Sequence, residues 1–408
     1  MISYSEALRI ILQQGSRYCL GYEKIDVAAI AGRICAAEIR ARVDNQPFDN
    51  SAMDGFAVKV TDFEQASEFK PVSLSVAGHI AAGELRRFPA LSSGQCYEIM
   101  TGAPVPPGCD AVVPVEKTMR DDAGRVVFSG GAVAGENIRY AGSDFHQGDV
   151  LVRKSEILHP GHILALATAG VGCLDVVCKA RVALISTGQE VIESFDTPLR
   201  YGQIYNSTKP YLKGAVAALG MDVAAGDTVQ DDPAAFQKKL ESLCGAGIDI
   251  FISTGAVSAG VHDFVPSVLK DMGFEIFFHK AAIRPGKPVL FAMLSPGGPF
   301  YFGLPGNPAA TAAGLRFFVY PLLRALQGLP PPAPQYGIMQ GSFRKGDMPL
   351  RFFMQARTFI DQQGRCRIEI PQKQPSFMVS PFIGSNAWAV VPEDVGELKD
   401  GDLVEFYQ

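Results

Sequence analysis

The chain has 408 residues, 47% of them hydrophobic and 19% charged, which excludes global disorder and allows two to four domains. A formal net charge of −5 argues against a generic nucleic-acid binder but leaves room for a locally positive pocket. No apolar run approaches the roughly 18 to 20 residues that a membrane helix needs, so no membrane partner is expected.

The N-terminus, MISYSEALRIILQQG, has an early acid and no small-residue cleavage site. Ser3-x-x-Glu6 reads as a capping box opening an amphipathic helix, and a cytoplasmic protein is expected. Residues 3 to about 40 carry Ala- and Ile-rich faces and read as helical. From about 41 to 144, short β-branched runs between Gly- and Pro-rich turns predict a β-rich region. Residues 145 to 175 turn helical again around Ile163–Gly172 and are expected to pack against the N-terminal helix.

From 179 to 328 strands alternate with helices, which predicts a doubly wound, parallel-type sheet covered on both faces. Asn206-Ser207 and Asp231-Asp232-Pro233 supply helix starts, and Gly220 a helix end. The segment 329–335 (LPPPAPQ) reads as a stiff linker, and the short alternating runs of 336–408 as a small β-barrel or sandwich. The predicted fold class is therefore α/β multidomain. It comprises a split helical segment (1–25 and 145–175), a β-rich domain (26–144), a central α/β domain (176–328) and a C-terminal β-barrel domain (329–408).

Four apolar runs in the central domain end in Gly-rich polar turns: 184–190 (LISTGQE), 252–263 (ISTGAVSAGVHD), 283–288 (IRPGKP) and 302–308 (FGLPGNP). In such a sheet the carboxyl ends of the strands share one crevice, where ligands bind. Ser258 adds a hydroxyl. Asp263 is either a plain N-cap or a ligand and metal contact. Lys280, Arg284 and Lys287 put three cations around stiff Pro-Gly turns, either as a solvated basic loop or as a seat for an anion. Pro305, Asn307 and Pro308 form a turn before a helix whose bare N-terminus would face the same crevice, either as a substrate contact or as a structural turn. Glu190, Asp231 and Asp263 could share Mg²⁺ with phosphate oxygens, with simple capping as the alternative for Asp231. Standard dinucleotide and phosphate-loop patterns are absent. The eight cysteines form no CxxC pair, and reduced, mostly buried thiols are expected. His159 and His162 complete no zinc pattern. The polar strings 47–57 (PFDNSAMDGFA) and 100–108 (MTGAPVPPG) read on composition alone as turns.

Taken together, FDNSAMDGFAV, IMTGAPVPPGCDAVVPVE, GQIYNSTKPYL, ISTGAVSAGVHDF, KAAIRPGKP and GLPGNP resemble the molybdopterin molybdenumtransferase family, which includes MoeA and the gephyrin E-domain. The likeness spans nearly the whole chain in the family's order. It implies an elongated homodimer that inserts molybdate into adenylylated molybdopterin with Mg²⁺-dependent release of AMP. The pterin would arrive from an upstream adenylyltransferase. The cleft would lie between the central domain of one subunit and the FDNSAMDG domain of the other.

By resemblance, Asp49, Asp54 and Thr101 lie across that cleft, Glu190, Asp231 and Asp263 serve metal and pterin, and Asp54, Thr101, Glu190, Asp231 and Asp263 are the expected catalytic residues. Ser258, Arg284, Lys287 and Pro288 match the oxoanion pocket, as do Arg351 and Ser376. The chain departs from the family at Arg284, where Lys is commoner, at Gln189, where Asp is frequent, and in 137–145 (NIRYAGSDF), which is less basic. Two other functions stay open. A molybdopterin adenylyltransferase would need an ATP site, and a non-catalytic pterin scaffold would tolerate loss of the acids.

Overall fold

A computed structural model describes residues 1–67, 69–255, 264–295 and 297–408. The chain forms two compact units, one of residues 24–176 and the other of residues 1–23 with 177–408. Each is built around its own core.

In the second of these, helix α1 (Tyr4–Gly15) opens the chain, and the Ser3 hydroxyl accepts a hydrogen bond from the Glu6 amide at 3.1 Å. The predicted helix ends there. Residues Tyr22–Asp26 are a strand and Val27–Ala29 a single 3₁₀ turn. Gly21 and Gly32, at φ of 79° and 78°, interrupt any longer helix despite the apolar periodicity.

The 24–176 unit is β-rich, as expected. Its main sheet comprises β1 (Gly55–Val58), β2 (Val72–Ile80), β3 (Gln95–Ile99), β4 (Ala111–Pro114), β5 (Thr118–Arg120) and β6 (Val126–Phe128), in the order β4-β1-β3-β2-β6-β5. Phe56, Phe63 and Phe128 pack edge to face within one of its cores. Helix α2 (Pro160–Thr168) belongs to this unit. His159 and His162 cap it: the His159 ring nitrogen accepts from the Gly161 amide, and His162 Nδ1 accepts from the His159 amide.

Helix α1 instead lies in the core of its own unit. Tyr4, Ala7 and Ile11 pack with Phe318 and Leu322, the Tyr4 and Phe318 rings 5.7 Å apart. Helix α1 and residues 145–175, expected to form one element, fall in different compact units. The apolar face of α1 finds its partner more than 300 residues along the chain.

The central sheet comprises β7 (Arg181–Thr187), β8 (Asp222–Val229), β9 (Ile250–Thr254), β10 (Phe274–His279), β12 (Leu290–Leu294) and β13 (Phe300–Leu304). A short strand, β11 (Ile283–Arg284), leaves it for the C-terminal region. The strand order is β8-β7-β9-β13-β12-β10. The first four are parallel, and β12 and β10 join antiparallel. The parallel part follows the alternation of strands with α3 (Thr208–Ala218), α4 (Pro233–Cys244) and α5 (Val265–Asp271). The antiparallel part follows from the short link between β12 and β13, which leaves no room for a crossover helix.

Along β7, Val182 and Leu184 face one core while Ala183 and Ile185 face another, so the strand is buried on both sides. Asp232 caps α4 through the Ala235 amide at 2.6 Å, with Pro233 in the first turn. Asn206, rather than Ser207, holds the start of α3, its Oδ1 accepting from the Lys209 amide at 3.0 Å. A long helix follows β13 in three pieces: α6 (Pro308–Gly314), a π-helical turn (Leu315–Val319) and α7 (Tyr320–Leu326).

The C-terminal strands β14 (Gln335–Met339), β15 (Arg351–Ile360), β16 (Cys366–Glu369), β17 (Ala387–Val391) and β18 (Leu403–Tyr407) pair in the order β15-β16-β14-β18-β17, and β17 pairs back onto β15. This closes a five-stranded barrel, with β11 added to the flank of β15. Closure leaves few strand edges open.

Candidate functional site

The carboxyl ends of β7, β9 and β13 meet in three turns. Gly255 has a φ of 90°, and a Cβ there would lie 2.6 Å from Thr187 Oγ1. Only glycine allows the Thr254–Gly255 turn to lie so close to the Thr187–Gly188 turn. The Gly255 amide also donates to the Leu304 carbonyl at 3.2 Å. The next turn, 305–308, is fixed from within, because Thr311 Oγ1 donates to the Pro305 carbonyl at 2.6 Å. Pro308 is the first residue of α6.

The Ile283–Pro288 loop runs beside the barrel. Ile283 pairs with Arg351 and Arg284 with Phe352, in parallel register. Gly286, at φ of 95°, would place a Cβ 3.3 Å from the Ala310 carbonyl, so glycine is what lets this loop lie against α6. Ser376 closes the ring: its hydroxyl accepts from Asn307 Nδ2 at 3.2 Å and its carbonyl from the Ala309 amide at 3.2 Å.

These pieces enclose a cavity of about 700 Å³ whose walls include Arg284, Lys287, Pro288, Pro305, Asn307 and Ser376. Six sequence-predicted residues are thereby brought together. Three further cations line the same cavity, Arg344, Lys345 and Lys373. None of the three stood out in the sequence, since Arg344-Lys345 and Lys373 lie among short β runs with no recognisable motif.

The five cations are not equivalent. Lys345 is only 5% exposed, and its ammonium donates to the Leu350 carbonyl at 3.2 Å, the Glu393 carbonyl at 3.0 Å and the Pro392 carbonyl. Burial holds its pKa below the ordinary lysine value against the pull of Glu393 and Asp394. Its three donors are thus engaged in holding the loop after β17. Arg284 is exposed, with its guanidinium 5.3 Å from the centre of the Phe352 ring and Nη1 3.3 Å from Met348 Sδ. Lys287, Arg344 and Lys373 are exposed, and none pairs with a carboxylate of the described residues. Four cations therefore face a cavity with no acidic side chain among the described residues of its wall.

Two predicted residues stand apart from this cavity. The Arg351 Nε donates to Glu393 at 3.2 Å and its guanidinium lies over the Tyr4 ring, so it ties barrel to helix. Lys280 adopts a φ of 115°, with its amide bonded to the Val289 carbonyl and its own carbonyl to the Ile2 amide. Neither belongs to the cavity wall.

Among the predicted acids, Glu190 follows β7 and Asp231 follows the neighbouring β8, whose last paired residues are Thr187 and Val229. Neither side chain bonds to another described residue. Asp263 and Ser258 lie outside the described residues. Among the described residues no group of three His, Cys, Asp or Glu side chains is close enough to hold a metal. One acid that sequence reasoning missed organises this edge. Glu193 accepts from Asn206 Nδ2 at 2.8 Å, from Lys209 Nζ at 3.0 Å and from Thr228 Oγ1. Burial pushes its pKa up, but these bonds together outweigh that and hold it below the ordinary value.

In the 24–176 unit, Asp54 Oδ1 accepts from both the amide and the hydroxyl of Thr101, each at 2.7 Å. These bonds, the backbone one first, hold the exposed Asp54 carboxyl below its ordinary pKa. Asp49 Oδ1 accepts from the Ala141 amide at 2.8 Å. The FDNSAMDG and MTGAP strings are thus one cross-braced pair of loops, the Gly102 amide also bonding to the Ser51 carbonyl.

A central α/β sheet with polar turns at its carboxyl edge, joined to a closed barrel beside a cationic cavity, is an arrangement suited to small anionic ligands. Three family models cover most of the chain: the MoeA N-terminal region, domains I and II (residues 2–170), a probable molybdopterin binding domain (183–325), and the MoeA C-terminal region, domain IV (343–408). The molybdopterin molybdenumtransferase of Synechococcus elongatus is 36% identical over 99% of both chains. That of Haemophilus influenzae is 32% identical over 94% of this chain and 92% of its own. A crystal structure of a molybdopterin biosynthesis MoeA protein from Pyrococcus horikoshii matches all of this chain and 98% of its own, with a TM-score of 0.83 and 29% identity. The chain belongs to the molybdopterin molybdenumtransferase family, a family of transferases in molybdenum cofactor biosynthesis. No helix among the described residues is long and apolar enough to cross a membrane.

Proposed function

We propose that this chain inserts molybdate into adenylylated molybdopterin, with release of AMP. The observation that carries the reading is the cavity between the 283–288 loop, the start of α6 and the barrel, where Arg284, Lys287, Arg344 and Lys373 converge without an acidic partner among the described residues. Molybdate is a divalent oxoanion. Such a ligand gains charge-assisted hydrogen bonds, each about twice as strong as a neutral one, only from cations that are not already paired.

Arg284 and Lys287 hold the oxoanion, and Ser376 with Asn307 fixes its orientation by hydroxyl and amide bonds. Arg344 and Lys373 draw the anionic pterin substrate to the same mouth. The stacking of Arg284 near Phe352 and the fixed turn at Gly286 pre-organise the loop, so little ordering remains on binding. As the phosphoanhydride breaks, the same cations offset the charge that develops.

Glu190 and Asp231 are hard oxygen donors at adjacent strand ends with no other partner among the described residues. That donor set fits Mg²⁺, which typically takes one or two carboxylates plus substrate phosphates. Glu190 and Asp231, with Asp263, would hold the ion, and Glu193 positions the loops that carry them. Bound Mg²⁺ would polarise the phosphate oxygens. We also propose that the working form is a cytoplasmic homodimer supplied by an adenylyltransferase.

The test is direct. Purified protein given adenylylated molybdopterin, molybdate and Mg²⁺ should release AMP in proportion to cofactor formed. Folded dimer that releases no AMP would overturn the assignment. AMP release without molybdate incorporation would point to a hydrolase, and tight ATP binding by calorimetry to an adenylyltransferase.

A further inference from the structure

Lys280, at the foot of the loop that carries Arg284 and Lys287, holds a φ of 115°. That region is uncommon for any residue but glycine, and a residue with a side chain stays there only where its surroundings over-determine it. Four backbone hydrogen bonds do so here. The Lys280 amide donates to the Val289 carbonyl at 2.9 Å and the Ala281 amide to the Lys287 carbonyl at 3.1 Å, which closes the foot of the loop from within. The other two bonds come from the far end of the chain. The Ile2 amide donates to the Lys280 carbonyl at 3.1 Å, and the Ile2 carbonyl accepts from the Ala282 amide at 2.8 Å. Ile2 and Ala281 thus form a one-residue parallel bridge.

The segment 280–282 therefore lies between Ile2 and the returning arm of the loop, 287–289. It bends immediately afterwards. The Ile283 amide returns to the Ala281 carbonyl at 2.8 Å in a three-residue turn, and the Ala282 carbonyl accepts from the Arg351 amide at 3.0 Å. That turn hands the chain from Ile2 to the barrel strand β15, against which Arg284 is registered. Ala281, Ile283 and Val289 are buried while Arg284 and Lys287 are exposed, so the foot of the loop is fixed and its charges are accessible.

Ile2 is itself held in place. It is half-buried against the core that contains α1, and Ser3, the next residue, caps that helix. Tyr4 lies beneath the Arg351 guanidinium, at 5.4 Å. A rigid helix start thereby presents one amide and one carbonyl to the loop.

We propose that Ile2 is a positioning residue for oxoanion binding: its main chain holds Lys280 at positive φ, and that conformation sets the spacing of Arg284 and Lys287. The proposal rests on the molybdate reading of the cavity. Ile2 does not line the cavity, and it acts by reducing the ordering left to be done on binding.

Met1 is 69% exposed, so the full chain has room for a short N-terminal tag that keeps residue 2 in peptide linkage. Ile2→Leu keeps both main-chain groups, and Ile2→Pro removes the amide donor. In calorimetric titration with molybdate, tagged Ile2→Leu should match tagged wild type. Ile2→Pro should bind about tenfold more weakly, equivalent to about 1.4 kcal/mol. In turnover, the molybdate concentration for half-maximal AMP release should rise by the same factor with kcat within about twofold, the pattern of lost binding and not of lost chemistry. Folded Ile2→Pro with wild-type molybdate affinity, or an equal loss in Ile2→Leu, would overturn the proposal. Wild-type protein that binds no molybdate would overturn the reading of the cavity instead. Hydrogen exchange tests the same contact without any variant. The Ala282 amide should exchange slowly, and more slowly still with molybdate bound. Exchange at the rate of a free loop amide would contradict the proposed role of Ile2.

Discussion

The two sets of loops that carry the family's sequence signatures use their charges in opposite ways. In the 24–176 unit, Asp54 and Asp49 are exposed acids whose oxygens are bonded to the protein's own Thr101 and Ala141. Around the cleft, Arg284, Lys287, Arg344 and Lys373 are exposed bases without a carboxylate partner among the described residues. An engaged charge sets the shape of a loop, and an unengaged one is available to a ligand. Lys345 shows the rule inside a single cavity, since it is a cleft cation whose three donors all go to backbone carbonyls.

The comparison breaks most sharply at Arg284 and Lys287. Arg284→Ala combined with Lys287→Ala should raise the molybdate concentration for half-maximal AMP release by about 100-fold, at about 1.4 kcal/mol or more per lost charged contact. The denaturation midpoint should barely move, because exposed loop substitutions usually stay within about 0.5 kcal/mol. A variant that unfolds but retains its molybdate dependence would reverse the assignment. Lys345→Met should do the opposite. It strands three carbonyl acceptors and should cost about 1–3 kcal/mol in urea unfolding. Stability equal to wild type would show that those bonds contribute nothing.

Asp54→Asn should speed hydrogen exchange at the Thr101 amide and leave the molybdate dependence of the isolated cleft unchanged. The folded pKa of Asp54 is depressed, so its contribution is complete above the ordinary carboxylate range. It is lost only as pH falls through the lower, folded value. Protection of Thr101 that collapses already near the ordinary carboxylate pKa would contradict the bonding geometry. The smallest effect is a control on burial. Cys96 and Cys109 are pushed up to about 12 by burial, so at pH 8 they hold little thiolate. The exposed Cys19 and Cys173 should label first with a thiol reagent, and early labelling of Cys96 would mean that the β-rich core opens easily.

Much of this was legible in the sequence because it is local. Strand–turn–helix alternation in 179–254 and the caps at Asp232 and Asn206 depend on neighbours within a few residues. The antiparallel strands β10 and β12 were harder, since an apolar run does not declare its direction. Residues 17–40 misled because an apolar period cannot outweigh the left-handed glycines that break it. The packing of α1 on α7 is invisible to any local pattern. In the cleft, Arg284 and Lys287 share a motif and could be read. Arg344 and Lys373 reach the same wall only through closure of the barrel, and Glu193 gains its role only when β8 brings Thr228 beside it. Arg351 looked like a ligand by resemblance, but its pairing with Glu393 depends on a residue 42 positions away.

The central claim is that unpaired cations beside the barrel receive the oxoanion. A crystal soaked in molybdate and measured at a wavelength where molybdenum scatters anomalously tests it without any assumption about turnover. The account predicts one strong peak within hydrogen-bonding reach of Arg284, Lys287 and Ser376. A peak elsewhere, with this cavity empty at saturating molybdate, would contradict it.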